Sequence, residues 1–396
     1  MKDHRSGPKE VVAAFNDRYQ RAPTIVVRAP GRVNLLGAHI DYNEGWVITG
    51  AIDRAVWLAA APAETELTRI TGLNVEDSAG LDLEHLPPPV DERGAAAGWV
   101  DYPAGIAWAL QEAGHRPTPI DAVYGGDVPM GAGVSSSAAV EMAFLLAWER
   151  MAGPRGFGLD GAARTTVGVR AENGYLGVQS GIMDQYSSLH GARDRLVFLD
   201  CRHLTHELLP LPPNARVLVA DTGVRRRLVD LNYNDRRAQC QEALAVLQQH
   251  LPNATALRDV TPRDFELTSH HLPMELRRRA RHAVEECQRT RSAAAALGHG
   301  DLAAFGALMR QSHLSSRDLY EVSIPELDVL AASAWGAEGC HGARLTGAGF
   351  GGCVTVLCDA AAVDAVKQAM ADAFEGAFDR RPEVFECAVA DGAAVL

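Results

Sequence analysis

The chain of 396 residues has little of several features that mark particular classes of protein. Its only lysines are Lys2, Lys9 and Lys367, so arginine supplies nearly all of the positive charge. No GxxxxGK[ST] segment is present, which excludes a P-loop that holds phosphates with a lysine. The seven cysteines are dispersed and include no CxxC pair, which excludes a disulfide framework and zinc sites built on close-paired cysteines.

Features of membrane and nucleic-acid-binding proteins are also missing. No apolar run reaches the ~18 residues of a membrane helix, and residues 1–9 are polar, unlike a secretory signal peptide. The formal charge of −12 is opposite to what diffuse contacts with nucleic-acid phosphates require. We therefore expect a cytoplasmic protein that binds neither membranes nor nucleic acid. The sequence does not give the oligomeric state, and a monomer is favoured.

The patterns that are present indicate a mixed fold. Apolar, β-branched runs predict strands at residues 24–28, 46–60 and 216–221, and a turn-rich stretch is expected over residues 29–45. Helical periodicity is found over residues 100–113, 138–151, 159–176, 235–251, 274–297 and 301–319. Strands and helices do not alternate strictly, which predicts an α+β fold rather than a doubly wound parallel sheet.

The length and the 47% content of hydrophobic residues are those of a globular chain with two or three domains. The Pro-rich segment 209–214 is the best candidate boundary. This predicts an N-terminal domain over residues 1–210 and a C-terminal domain over residues 211–396.

A glycine- and serine-rich segment, residues 129–139, precedes a predicted helix. Its two glycines allow backbone amides to approach an anion, and the positive end of the helix points to the same place. Hydroxyl groups are supplied by Ser135, Ser136 and Ser137. The segment therefore predicts a phosphate-binding loop that needs no lysine, with an ordinary turn and a serine N-cap as the alternative.

A second glycine-rich string, residues 346–352, contains GxGxxG. A dinucleotide-binding fingerprint opens a helix, but the β-type run 353–357 follows here, so that interpretation fails. A loop that approaches a ligand closely is favoured, and a plain hairpin remains possible. Two polar segments offer further candidate side chains. A solvated loop would explain residues 32–43 equally well, and at residues 181–185 a lone aspartate among apolar residues is more often an N-cap or a buried, satisfied carboxylate than a base.

Taken together, five segments resemble the GHMP small-molecule kinases, and among them the galactokinase branch. The segments occur in the family's order at residues 28–43, 129–139, 180–185, 233–240 and 342–352. The resemblance implies a two-domain α+β fold with the active site in the cleft between the domains. It also implies that ATP and Mg²⁺ are the cofactors.

The resemblance assigns roles to individual residues. Asp184 would accept the proton of the attacking sugar hydroxyl, and Arg32 would stabilise both that carboxylate and the transferred phosphoryl group. Ser137 and Glu172 would hold Mg²⁺. The residues implied to bind the ATP phosphates are Gly131, Gly133, Ser135, Ser136, Ser137 and Ala138. The residues implied to contact the sugar are Ala38, His39, Asp41, Gly181, Asp184, Tyr233, Gly347 and Gly349.

One departure from the family bears on the substrate. Galactokinases carry a glutamate where this chain has Ala38, and that glutamate receives the 6-hydroxyl of the sugar. Plant galacturonokinases resemble this chain at residues 37–41, and a sugar carboxylate would be tolerated by alanine but repelled by glutamate. We therefore expect a kinase acting on the anomeric hydroxyl, with D-galacturonate favoured and D-galactose close behind. A cation for a uronate could come from Arg225, Arg226 or Arg227, although a solvated basic turn is the favoured interpretation for at least two of them.

Two rival functions can be compared with this one. A catalytically silent sugar- and ATP-binding regulator would be expected to have lost part of the phosphate motif or the catalytic aspartate, but Arg32, Ser137 and Asp184 are all present. Kinases of mevalonate-type or homoserine-type alcohols are disfavoured by the sugar signature at residues 39–42 and by the YNxRR-like stretch at 233–237.

Overall fold

A computed structural model of the protein describes residues 6–94, 96–153, 155–225 and 231–396, and the side chains of residues 231 and 232 are not described. Within these ranges the strands are β1 (Ile25–Leu36), β2 (Trp46–Pro62), β3 (Leu67–Gly72), β4 (Asp77–Asp82), β5 (Ile120–Gly126), β6 (Arg195–Asp200), β7 (Thr205–Pro210), β8 (Ala215–Asp221), β9 (Cys340–Thr346), β10 (Cys353–Asp359), β11 (Glu383–Cys387) and β12 (Ala394–Val395). The α-helices in the same ranges are α1 (Pro8–Tyr19), α2 (Val90–Arg93), α3 (Asp101–Glu112), α4 (Ser136–Met151), α5 (Gly161–Arg170), α6 (Met183–His190), α7 (Leu231–Gln248), α8 (Pro262–Thr268), α9 (Met274–Gly298), α10 (Leu302–Asp318), α11 (Pro325–Gly336) and α12 (Val363–Phe378). The predicted α+β class is confirmed.

The larger sheet has the order β12-β1-β2-β5-β3-β4, with β6 paired to β2 and β7 paired to β6. Its centre is β2, which pairs antiparallel with β1, β5 and β6. Successive side chains of β2 point to opposite faces. Leu58 and Ala60 belong to the main core with α3 and α4, whereas Ala59 and Ala61 pack with Phe15 of α1.

The smaller sheet, β11-β8-β10-β9, is antiparallel throughout. Buried residues of α7, α9, α11 and α12 form a second core with it. The glycine-rich string at residues 346–352 connects β9 to β10, as the β-type run after it predicted. The chain end returns to the first sheet, because β12 pairs with β1. The division at residues 210 and 211 stays a prediction.

Residues 37–45 of the stretch expected to form turns do so, but residues 29–36 are instead the second part of β1. They continue the strand because they pair with β2, and a register shift between Pro30 and Arg32 accommodates the proline, which lacks an N–H group. A side chain at Gly31 would place its Cβ 2.6 Å from the carbonyl oxygen of Val134. The strand therefore passes closely behind the predicted phosphate loop, and Arg32 lies on a rigid element.

The helix predicted over residues 159–176 is also interrupted. The α-helical part, α5, ends at Arg170, and a π-helical turn follows over Ala171–Tyr175. Such turns often mark functional positions because they displace one side chain from the helical register. Here the turn contains Glu172.

Across the described ranges, no helix combines the length and the hydropathy that crossing a membrane would require.

Candidate active site

The predicted motif segments converge on one cleft. Its volume is about 990 Å³, including space open to solvent. Both halves of the chain contribute to its walls. The lining residues are Arg32, His39, Asp41, Gly131, Gly133, Ser135, Ser136, Ser137, Glu172, Val178, Ser180, Gly181, Met183, Asp184, Tyr233, Gly347, Ala348 and Phe350.

The two predicted catalytic residues are in direct contact. Nε and Nη2 of Arg32 donate to Oδ1 of Asp184 at 2.8 and 2.6 Å, and Nη1 donates to the carbonyl oxygen of Gly133 at 2.7 Å. The hydroxyl of Ser135 donates to Oδ2 of Asp184 at 2.5 Å. Asp184 lies in the first turn of α6, where the helix dipole favours a carboxylate. Both oxygens of the aspartate are therefore fixed, while 28% of its side chain stays open to the cleft.

The phosphate loop has the conformation that its glycines predict. Gly131 and Gly133 have φ values of 67° and 79°, and Ser135 has a φ of 62° directly before α4. Ser136 and Ser137 line the cleft, and no partner for their hydroxyl groups occurs among the described residues. Ser135 differs from them because its hydroxyl group is bound to Asp184.

The Gly-rich connection between β9 and β10 packs directly against this loop. A Cβ at Gly347 would lie 2.7 Å from the carbonyl oxygen of Gly133, and one at Gly352 would lie 2.7 Å from that of Ala132. The string therefore allows two backbones from different halves of the chain to meet at the cleft. A plain solvent-exposed hairpin would not need this close approach.

Asp41 is the main polar group on the side of the cleft that is predicted to bind the sugar. A Cβ at Gly181 would lie 2.1 Å from Oδ2 of Asp41, so only glycine fits beside this carboxylate. The backbone amide of Met183 donates to the same oxygen at 3.4 Å. Burial, together with the charge of Asp184, raises the pKa of Asp41 to about 6.

His39 lines the same side, but the protein already occupies its two ring nitrogens. Nε2 lies 3.0 Å from the carbonyl oxygen of Ala348 and must donate to it, so Nδ1 accepts from the hydroxyl of Tyr42 at 2.8 Å. Its ring also lies against that of Tyr233, with 5.6 Å between centroids. The histidine therefore links the sugar signature to the Gly-rich connection of the other half.

Three of the predicted site residues do not line the cleft. Ala38 is 2% exposed and Ala138 is fully buried, so neither side chain presents a contact surface there. At Gly349 a Cβ would lie 2.2 Å from the carbonyl oxygen of Val322, which explains the glycine by packing. None of the three is among the lining residues, and a contact with the ligand at these positions stays a prediction.

The predicted metal ligands do lie in the cleft. Ser180 donates a hydrogen bond to Glu172, and burial raises the pKa of Glu172 to about 7. A nearby cation would favour the ionised form of that carboxylate. Mg²⁺ is usually held by one or two carboxylates together with substrate phosphates, which fits a site made by Glu172 and Ser137. The described residues contain no group of three or more His, Cys, Asp or Glu side chains arranged to hold a metal.

The cleft also contains residues that the sequence did not single out as ligand contacts. Ser180 and Met183 flank the catalytic-aspartate segment, and Ala348 and Phe350 belong to the Gly-rich string, so their motifs gave a signal for them. Val178 gave none.

The arginines considered for a uronate do not line the cleft where they are described. Arg225 pairs with Asp221 at 2.7 Å and is 46% exposed. Arg226 and Arg227 lie outside the described residues.

Comparison with known proteins agrees with this geometry. Family models match in three places: the galactokinase galactose-binding signature over residues 13–62, the GHMP kinases N terminal domain over 101–192 and the GHMP kinases C terminal over 293–376. The chain is 40% identical to a galactokinase of Roseiflexus sp. (strain RS-1) over 97% of this chain and 96% of that one. It is 39% identical to a galactokinase of Streptomyces coelicolor over 96% and 97%, respectively.

Solved structures give the same result. A crystal structure of Lactococcus lactis galactokinase complexed with galactose superposes with a TM-score of 0.89 and 30% identity, covering 97% of this chain and 98% of that one. A mevalonate kinase structure, with a TM-score of 0.61 and 17% identity, shares the fold. The chain belongs to the galactokinase branch of the GHMP kinases.

Proposed function

We propose that the chain is an ATP-dependent sugar kinase that phosphorylates the anomeric hydroxyl of a galactose-type sugar. The observation that carries this proposal is the unit formed by Arg32, Asp184 and Ser135. It lies between a lysine-free phosphate loop and the buried carboxylate of Asp41, inside one cleft. Phosphoryl transfer depends mainly on alignment and charge stabilisation, and this arrangement supplies both.

In the proposed reaction the anomeric oxygen attacks the γ-phosphorus of ATP while the bond to the β-phosphate oxygen breaks and ADP leaves. Asp184 takes the hydroxyl proton, since its carboxylate is held in place by Arg32 and Ser135. Arg32 also brings a positive charge to the reacting phosphoryl group. Magnesium held by Ser137 and Glu172 would neutralise charge on the phosphates.

The sugar itself has two candidates. D-galactose is placed first because the relatives are named galactokinases and the cleft already holds the carboxylates of Asp41, Glu172 and Asp184. The arginine among its described lining residues, Arg32, is paired with Asp184. D-galacturonate is the second candidate, favoured by Ala38, which lacks the carboxylate that would repel a uronate.

An ADP-release assay across galactose, galacturonate, glucuronate, arabinose and fucose tests both the kinase activity and the choice of sugar. Phosphorus NMR identifies the position of the new phosphate. We expect a sugar 1-phosphate from galactose. Asp364→Asn, an exposed position on α12, is the control for Asp184→Asn. Binding of ATP and galactose without any ADP release would instead favour the silent regulator. A higher kcat/KM for galacturonate than for galactose would reverse the order of the two sugars.

A further inference from the structure

Helix α9, in the C-terminal half of the chain, binds the backbone of the sugar-signature loop. The carboxylate of Glu286 accepts hydrogen bonds from the amide nitrogens of Gly37 and Ala38 at 2.9 and 3.1 Å. One helical turn earlier, Nε2 of His282 lies 3.0 Å from the carbonyl oxygen of Ala38 and donates to it. Residues four apart share a helix face, so one face of α9 holds both polar groups of residue 38.

A second helix supports both side chains. On α10, the hydroxyl of Ser312 donates to Glu286 at 2.5 Å, and that of Ser315 donates to Nδ1 of His282 at 2.8 Å. Arg289 completes the set by an ion pair with Glu286. We call His282, Glu286, Ser312 and Ser315 the loop clamp.

The clamp is held in one arrangement by charge and burial. His282, Glu286 and Ser312 are 0% exposed, and Ser315 is 7% exposed. Burial alone would raise the pKa of Glu286, but Arg289 and its other partners lower it to about 2. Burial lowers the pKa of His282 to about 4. At neutral pH a carboxylate therefore faces the two amides, and a neutral imidazole faces the carbonyl group.

Core packing alone does not explain this arrangement. A buried ion pair such as Glu286–Arg289 often stabilises a protein no more than hydrophobic residues of the same volume. Here Glu286 and His282 also bind backbone groups of a loop in the other half of the chain. That loop turns at Gly37, whose φ is 94° and where a Cβ would lie 2.6 Å from the carbonyl oxygen of Trp46. His39 and Asp41, which line the cleft, follow within three residues of Ala38.

We propose that His282 and Glu286 are positioning residues for the sugar, because they fix the peptide groups of residue 38 and thereby hold Asp41 in the cleft. The C-terminal half then controls sugar affinity through the backbone of the N-terminal loop. The phosphate loop is not part of this contact, so nucleotide affinity is independent of the clamp. The inference rests on the proposed sugar kinase function.

The test compares Glu286→Gln and His282→Gln with Glu338→Gln, an exposed glutamate of the C-terminal half that is not part of the clamp. Hydrogen bonds to a charged group contribute enough that we expect the sugar KM to rise about 10- to 100-fold in Glu286→Gln. The KM for ATP should stay within about twofold. Amide hydrogen exchange in peptides covering residues 33–42 should become faster in both clamp variants and not in the control.

The outcomes distinguish a positioning role of the clamp from a purely structural one. Equal increases in both KM values together with a lower Tm would overturn the positioning role, as would faster exchange with an unchanged sugar KM. If Glu286→Gln does not fold, Ser312→Ala removes one bond of the same carboxylate and is judged by the same readouts. A wild-type protein that phosphorylates no sugar would refute the proposed function, while exchange and galactose binding by calorimetry would still decide the role of the clamp.

Discussion

The side of the cleft proposed to bind the ATP phosphates (the phosphate side) and the side proposed to bind the sugar (the sugar side) are built from different kinds of residue. Gly131, Gly133, Ser136 and Ser137 come from one short segment and offer backbone groups and partly exposed hydroxyls. The sugar side uses a buried carboxylate, Asp41, and aromatic rings that come from distant parts of the chain.

The difference has a physical reason. A flexible, highly charged triphosphate can be bound by many similar donors at a helix start. A sugar offers hydroxyl groups in fixed directions, so its partners must be held rigidly, and here His39 and Asp41 are held by contacts to Ala348 and Met183. We expect variants on the two sides to affect different kinetic constants.

The largest effect is expected at the junction of the two sides. Asp184→Asn removes the group that accepts the hydroxyl proton, so kcat should fall by about 10²–10⁴-fold. ATP affinity should stay near that of wild type, because an amide oxygen can still accept from Arg32 and the other residues of the phosphate loop are unchanged. Steady-state ADP release and a fluorescent-nucleotide titration measure the two quantities. A loss of kcat below about tenfold would argue against a base role.

The next effect concerns the sugar side. Ala38→Glu introduces the carboxylate that the family resemblance implies at this position, and a charge-assisted hydrogen bond to the 6-hydroxyl is worth roughly 1.5–3 kcal/mol. The ratio of kcat/KM for galactose over galacturonate should therefore rise about 10–200-fold. Ala38 is 2% exposed and its amide is bound by Glu286, so thermal unfolding of the variant checks that the longer side chain is accommodated.

Ala38→Gln is the matched control for that variant. It offers an acceptor of the same size without a charge, so it should help galactose without repelling galacturonate. An unchanged ratio in Ala38→Glu would mean that the 6-position of the sugar lies elsewhere in the cleft.

The sequence predicted the phosphate side better than the sugar side, because the first is one local segment and the second depends on contacts between distant parts of the chain. Residues 131–137 form their loop from local turns and a helix start, so the segment itself indicates its shape. The bonds that fix residue 38 come from Glu286, 248 positions away, and no local pattern reports them. The continuation of β1 through Arg32 was missed because pairing with β2 outweighs the turn preference of Pro30 and Gly31.

A smaller effect is expected on the phosphate side. Ser137→Ala removes a hydroxyl placed to reach a metal ion, so the affinity for Mg·ATP should fall roughly tenfold, the size of one lost hydrogen bond to a charged group. Galactose binding should not change. Calorimetry with magnesium, and again after its removal by EDTA, separates a lost contact to the metal from a lost contact to ATP itself. If only the metal contact is lost, the variant and wild type should bind metal-free ATP alike. Unchanged Mg·ATP affinity together with an unchanged rate would place the metal on other residues.

The smallest effect is on stability and again concerns Asp41. Its pKa is about 6 in the folded chain against an ordinary value of 3.8, so the folded state binds this proton more tightly than the unfolded state. The stability that the protonated group contributes is complete below about pH 4 and is lost as pH rises through about 6. Asp41→Asn has no such charge, so at pH 8 its free energy of unfolding should exceed that of wild type by about 1–2 kcal/mol. At pH 4 the two proteins should unfold at similar temperatures, and at every pH the variant should bind galactose more weakly. Thermal unfolding at both pH values, without ligands, measures the difference in stability. A variant that is less stable than wild type at pH 8 would contradict the prediction, because the Asp41 carboxylate would then stabilise the fold in addition to binding the sugar.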